Sequence, residues 1–193
     1  MTDSRPVNIL IVGVGGQGTI LAGKVLSQVA VLSGRDVKFS EIHGMAQRGG
    51  SVVTQVRVGE RVWSPTIDPG TADFMLAFEQ LEALRWSHMM RPDGVIVMSI
   101  TTIDPMPVIT GAAEYPLGIP DRLSESAHVI TIDAADYALQ AGNPKSANVA
   151  LLGRVARLMP FSRDLWDQAL SETIPARHLA VNRKAFELGW NAL

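Results

Sequence analysis

The sequence predicts an α/β fold: a Rossmann-like three-layer domain with a mixed, mostly parallel sheet and a helical C-terminal end. Three observations predict it. A continuous apolar run at residues 7–12 leads straight into Gly13-Val14-Gly15-Gly16-Gln17-Gly18, after which apolar residues recur at helical spacing. Residues 52–58 and 61–64 flank Gly59-Glu60, a glycine-first connection that suits a type II′ hairpin and makes the sheet mixed. Residues 143–193 carry helix starts at Asn143-Pro144, Ser162 and Pro175 and no further strand pattern.

An unbroken apolar run such as 7–12 is the pattern of a strand buried on both faces, as in a parallel sheet. Leu21, Val25, Val29 and Leu32 then mark one face of a helix, and Gly34 supplies its stop. A second strand at 37–42 completes a β-loop-α-β unit over residues 7–42. His43-Gly44-Met45-Ala46-Gln47-Arg48-Gly49-Gly50 has no periodicity and reads as a loop. Strands follow at 73–78, 95–99 and 129–132, with a helix at 81–89 and a turn at Pro92-Asp93-Gly94. The proline-rich stretch 102–120 predicts loops and short extended pieces. The segment 161–193 reads as a pair of helices.

Composition narrows the function. The chain has 193 residues, 47 % apolar and 19 % charged, which supports one domain over 1–193, with a sheet portion at 1–142 and a helical end at 143–193. The net charge of −2 gives no general attraction to nucleic acid or to an anionic membrane. There is no cysteine, so disulfides, thiolate-held iron–sulfur clusters and a cysteine nucleophile are excluded in this chain. The four histidines, at 43, 88, 128 and 178, are too scattered to suggest a metal site. The apolar run at 9–14 is too short for a signal peptide or a membrane span, and a cytoplasmic protein is expected.

The strand–glycine loop–helix is the strongest local motif. Gly13, Gly15, Gly16 and Gly18 permit a tight turn and close backbone approach, and Gln17 and Thr19 complete the entry to the helix. A helix N-terminus offers unsatisfied N–H groups and partial positive charge, which suits a phosphate. The dinucleotide fingerprint also requires an acid near the end of the next strand, where Glu41 stands. A tight turn without a ligand fits the same residues. No Gly-Lys-Ser/Thr closes the loop, so it is not a nucleotide-hydrolysing P-loop. In the second loop, the Arg48 guanidinium beside the Gly49-Gly50 backbone suits a phosphate or carboxylate, with His43, Gln47 and Ser51 as neutral partners. A structural loop in which Arg48 pairs with a surface acid is the alternative. Both loops are expected to meet at one edge of the sheet. Glu79 and Glu82 lie one helical turn apart and read as a solvated face. Asn182, between Leu179 and Phe186, reads as a buried, bonded asparagine. No nucleophile–base–orienter set is visible.

Gly13-Val-Gly-Gly-Gln-Gly18 followed by His43-Gly-Met-Ala-Gln-Arg-Gly-Gly-Ser51 resembles the gamma-type domain of the 2-oxoacid:acceptor oxidoreductases. Arg57-Val-Gly, Ser64-Pro65, Ala72-Asp73, Glu79-x-x-Glu82-Ala-Leu-Arg85 and Tyr115-Pro116 are similar to the beta subunits of indolepyruvate ferredoxin oxidoreductases, and Asn148 and Asn182-x-x-x-Phe186 extend the likeness into the helical end. The resemblance implies a small subunit that supports coenzyme A-dependent oxidative decarboxylation of a 2-oxoacid to an acyl-CoA, with ferredoxin as acceptor. It implies thiamine diphosphate and [4Fe-4S] clusters on a large alpha subunit, and inactivity of this chain alone. Coenzyme A is then the anionic ligand expected at the glycine loops. The rival readings are a nicotinamide-binding dehydrogenase domain, a gamma subunit for pyruvate, 2-oxoglutarate or phenylglyoxylate, and a stand-alone binding module.

Overall fold

Ile9, Leu10, Ile11 and Val12 are all fully buried, yet they belong to two separate cores. Ile9 and Ile11 face one side of the sheet and Leu10 and Val12 the other, as side-chain alternation along a strand requires. This is the central strand that the apolar run predicts. The computed structural model describes residues 5–44 and 49–192.

The strands are β1 (Val7–Val14), β2 (Asp36–His43), β3 (Ser51–Gly59), β4 (Ala72–Ala77), β5 (Met90–Ser99) and β6 (His128–Ile132). They form one sheet in the order β2-β3-β1-β4-β5-β6. β1, β4, β5 and β6 run parallel, while β3 is antiparallel to both β1 and β2. The sheet is therefore mixed and mostly parallel, as predicted.

Two local expectations are corrected. Residues 61–64 form no strand, and Gly59-Glu60 turns no hairpin. Both edges of β3 are already occupied, by β1 and by β2. The chain after Gly59 instead folds across one face of β3. Val62 N–H donates to Asp36 (2.8 Å), Ile67 N–H to Gln55 (2.6 Å), and the Arg57 guanidinium to the carbonyls of Ser64 and Thr66 (3.1 and 3.0 Å). The hairpin is β2–β3, and it makes the sheet mixed by another route. Pro92-Asp93-Gly94 lies inside β5 as an irregularity: Ala72 pairs with Met90 but Phe74 with Val95, and Asp93 takes φ 60°.

The helices are α1 (Thr19–Leu32), α2 (Gln80–Trp86), α3 (Met106–Ile109), α4 (Ile119–Ser124), α5 (Ala134–Ala141), α6 (Ala147–Ala156), α7 (Arg163–Thr173) and α8 (Ala176–Trp190). α1, α6, α7 and α8 cover the Ile9/Ile11 face, where Trp166 and Phe186 are fully buried. α2 and α4 cover the Leu10/Val12 face. The prolines of 102–120 thus coexist with two short helices. Asn143 caps a 3₁₀ turn that runs into α6, its side chain accepting from Lys145 N–H at 3.0 Å. Asn182 is buried on α8 and donates to the His178 carbonyl (2.8 Å). Among the described residues no helix is long and apolar enough to cross a membrane.

α7 and α8 are also joined by charge. Arg163 donates to Asp167 at 3.1 Å and to Glu187, and its guanidinium lies over the Phe186 and Trp190 rings. The Arg163 hydrogen bond, then that from Asn191, holds the Glu187 carboxyl below its usual 4.5. A depressed carboxylate contributes stability above its unfolded pKa and loses it as pH falls through the folded one. Glu187→Gln should therefore lower stability modestly at neutral pH and remove part of the loss seen below about pH 4.5, a difference read from chemical denaturation at pH 7 and pH 3. Identical pH slopes in the two proteins would show that the pair contributes nothing.

Candidate ligand-binding site at the strand ends

From β1 the chain moves through α1 to β2 on one side of the sheet, and from β4 it moves through α2 to β5 on the other. β1 and β4 are neighbours, so the connections diverge above their C-terminal ends and leave a crevice, the usual ligand position in an open α/β sheet. The loop 13–18 lies there.

Gly16 (φ 105°) and Gly18 (φ 84°) both occupy the left-handed region that glycine adopts at little cost. Their surroundings differ. A Cβ on Gly16 would meet nothing within 4 Å, whereas one on Gly18 would lie 2.2 Å from the Asn148 Nδ2. Gly18 is thus packed from outside the loop: Asn148, buried on α6, donates to its carbonyl at 3.2 Å. Gly13 is packed too, because its Cβ would press on Phe78 and Gln17. The Gln17 side chain is a brace. Its Oε1 accepts from Val14 N–H (2.7 Å), and its Nε2 donates to the Phe78 carbonyl at the end of β4 (3.0 Å). Thr19 is buried as the first residue of α1. No hydrogen bond from the backbone N–H of Gly16, Gly18, Thr19 or Ile20 is made among the described residues. These donors surround the positive end of a 14-residue helix.

The two glycine loops meet, though not as neighbouring strand ends of one βαβ unit. β3 stands between β1 and β2, and the second loop returns along β3. Ser51 opens β3 opposite Val14, and Gly15 N–H donates to the Gly50 carbonyl at 2.8 Å. Gly49 takes φ 77°. His43 is exposed at the end of β2, its ring near the Gly44 carbonyl. Gln47 and Arg48 lie outside the described residues. Glu41 sits on β2, one strand removed from β1, where its carboxylate accepts from the Thr54 hydroxyl (3.3 Å). The intervening strand takes it out of the ribose position of a dinucleotide fold.

Reading Glu79 and Glu82 as a solvated face misses the site's second half. Both are buried, 1 % and 2 % exposed. Glu79 lies two residues past β4 and caps α2, accepting from Glu82 N–H (2.8 Å), Ile103 N–H (3.2 Å) and the Tyr115 hydroxyl. Tyr115 in turn accepts from Leu81 N–H (3.1 Å). Burial, and then the adjacent Glu79 carboxylate, push the Tyr115 phenol well above its usual value. Glu82 accepts from the Ser51 hydroxyl and from the Arg85 guanidinium (2.6 Å). The available signal was a carboxylate at the helix cap with another three residues on, a spacing that mimics a capping box. The described residues contain no group of three or more His, Asp or Glu placed to hold a metal ion.

Residues 8–192 match the family model described as pyruvate ferredoxin/flavodoxin oxidoreductase. The chain is 36 % identical over 194 residues to indolepyruvate oxidoreductase subunit IorB of Thermococcus kodakarensis, covering 97 % of this chain and 96 % of that one. It is 35 % identical to the IorB subunit of Archaeoglobus fulgidus, covering 96 % and 94 %. Pyruvate synthase subunit PorC of Methanothermobacter marburgensis is more distant, 23 % identical over 193 residues and 97 % of each chain. The gamma subunit of a keto/oxoacid ferredoxin oxidoreductase from Geobacter sulfurreducens shares the fold, with a TM-score of 0.72 at 24 % identity over 95 % of this chain and 96 % of its own. The 2-oxoglutarate:ferredoxin oxidoreductase of Magnetococcus marinus, solved with 2-oxoglutarate, coenzyme A and succinyl-CoA, superposes with a TM-score of 0.74 at 21 % identity, over 97 % of this chain and 31 % of that one. Matched along almost its whole length, the chain belongs to the pyruvate ferredoxin/flavodoxin oxidoreductase family.

Proposed function

We propose that this chain is the small subunit of an indolepyruvate-type 2-oxoacid:ferredoxin oxidoreductase, and that the recess at the β1 and β4 ends receives a phosphate-bearing part of coenzyme A. The observation that carries the second statement is the group of N–H donors at Gly16, Gly18, Thr19 and Ile20 that have no partner among the described residues, beside the open face of Gly16. Donors preorganised at a helix N-terminus suit an anion, and coenzyme A is the phosphorylated substrate of the reaction proposed. Arg48 joins this proposal on its chemistry alone, as a fork donor to phosphate. The similarity to the IorB subunits supports the aryl 2-oxoacid class.

In this reading an aryl 2-oxoacid, coenzyme A and oxidised ferredoxin give the acyl-CoA, carbon dioxide and reduced ferredoxin. Thiamine diphosphate and [4Fe-4S] clusters belong to a large partner subunit, in keeping with a chain that has no cysteine. This chain's residues bind and orient: the N–H groups of the loop hold phosphate, and Gln17 and Asn148 keep the loop rigid. A cytoplasmic complex follows from the same reading. The position of Glu41 beyond β3 weighs against the nicotinamide alternative.

The test is a matched pair of glycines in the complex reconstituted with its large subunit. Gly16 and Gly34 both have positive φ and open space at Cβ, but Gly34 lies in the turn between α1 and β2, at the far end of α1. Alanine puts a Cβ on a positive-φ backbone at both positions, so both carry local strain. Gly16→Ala should also raise the apparent coenzyme A constant roughly tenfold, about 1.4 kcal/mol of lost binding, whereas Gly34→Ala should leave it unchanged. Equal constants for the two variants in the assembled complex would remove coenzyme A from this recess.

A further inference from the structure

Ser51 begins β3 at the point where the second glycine loop ends. Its backbone pairs with Val14 at the end of β1, and its hydroxyl donates to the buried carboxylate of Glu82 on α2. The residue before it, Gly50, accepts from Gly15 N–H at 2.8 Å. One short segment is thus gripped from both sides, by the first glycine loop through its backbone and by α2 through its side chain.

Burial of Glu82 needs a reason. A carboxylate that is 2 % exposed is costly to desolvate unless its oxygens are occupied. Among the described residues each oxygen has one donor: Arg85 on the outer side at 2.6 Å, with its own side chain 47 % exposed, and Ser51 on the inner side. Arg85 could balance the charge of an exposed Glu82 equally well on the surface of α2. The buried position is explained by the contact with Ser51.

We propose that Glu82 is a positioning residue. Through Ser51 it sets the Gly49–Gly50 backbone against Gly15 and so fixes the width of the anion recess. Hydrogen bonds to charged groups are among the stronger ones, and a planar carboxylate held by Arg85 presents its second oxygen in a defined direction. Without that anchor the Gly49–Gly50 segment keeps, among the described residues, the Gly15 contact and the Ser51–Val14 strand pairing, and it samples a wider range of positions. The recess is then less preorganised, which weakens ligand binding and leaves the chemical step untouched.

This inference rests on the coenzyme A reading above, and the test separates the two. Ser51→Ala removes the hydroxyl donor, Ser51→Thr keeps it, and Glu82→Gln removes the charge while keeping shape. Each is assayed in the reconstituted complex for KM of coenzyme A and for kcat, with coenzyme A affinity measured directly by calorimetry. Ser51→Ala and Glu82→Gln should each raise KM and the dissociation constant about tenfold, with kcat held. Ser51→Thr should stay within about twofold of the parent. If Gly16→Ala weakens coenzyme A and Ser51→Ala does not, the positioning role is overturned while the recess stands. If neither change moves the constants, the recess and its positioning residue both fall. A fall in kcat at unchanged KM in Ser51→Ala also overturns the proposal. Should Glu82→Gln fail to assemble, the Ser51 pair decides alone.

Discussion

Gly189→Ala should lower the melting temperature of the chain by roughly 6–12 °C. A Cβ on Gly189 would lie 1.8 Å from the Ala150 carbonyl oxygen and 2.7 Å from its carbon. Gly153 makes the reciprocal contact, its Cβ falling 2.2 Å from the Phe186 carbonyl oxygen. α6 and α8 therefore cross backbone to backbone, each opening a gap for the other with glycine. Two effects compete. Alanine improves helix propensity by about 1 kcal/mol. Overpacking costs typically 1–3 kcal/mol and more when no side chain can yield. Both clashing groups here are main chain, so the helices must separate, and the buried Ala185 and Phe186 of α8 lose packing against α6. We expect a net cost of about 3 kcal/mol or more. Thermal unfolding followed by circular dichroism reads it directly. A melting temperature within about 2 °C of the parent would mean that the helices slide apart at little cost.

Glu79→Ala should be of similar severity for a different reason. One carboxylate serves the N-terminus of α2, the backbone at Ile103 and the Tyr115 hydroxyl. Its removal leaves three buried or half-buried donors without their acceptor. Unsatisfied buried groups cost about 1–3 kcal/mol each, and some rehydrate once the side chain is gone, so a total of about 4 kcal/mol is expected. Tyr115→Phe, which loses the phenol as donor to Glu79 and as acceptor for Leu81, should cost about half as much. Urea midpoints of the two variants give the comparison. A Glu79→Ala cost within about 0.5 kcal/mol of the parent would show that the 102–118 segment is held by other contacts.

The parts of the fold that a local pattern can specify were legible in the sequence. The apolar run of β1, the left-handed glycines before α1, the cap at Asn143 and the helix start at Ser162 are each dictated within a few residues. Strand order was less accessible. Two antiparallel partners for β3 cannot be inferred from its own alternation, and the attractive Gly59-Glu60 turn pointed to a hairpin partner for which β3, already paired with β1 and β2, has no free side. The candidate site was half visible. Its glycines announce themselves, but Gln17 and Asn148 act through partners 61 and 130 residues away. Glu79 and Glu82 show the limit most clearly: in sequence they have the spacing of an exposed helical face, and only the packing of Ser51 and Tyr115 against them puts them inside.

The bond from Asn148 to Gly18 has a kinetic consequence. The loop near the start of the chain receives its brace from a helix that is itself held by the α6–α8 crossing, so its final form depends on contacts of very long sequence separation. Such contacts close late, because the entropy of bringing distant segments together must be met first. During synthesis β1 and its glycine loop emerge long before α6 and α8. The loop matures among the last parts of the molecule, although it is among the first made. Binding competence thereby becomes in part a report on completion: a chain interrupted before α8 would carry every glycine of the motif and the Gln17 brace, but not the packing that holds Asn148 against Gly18.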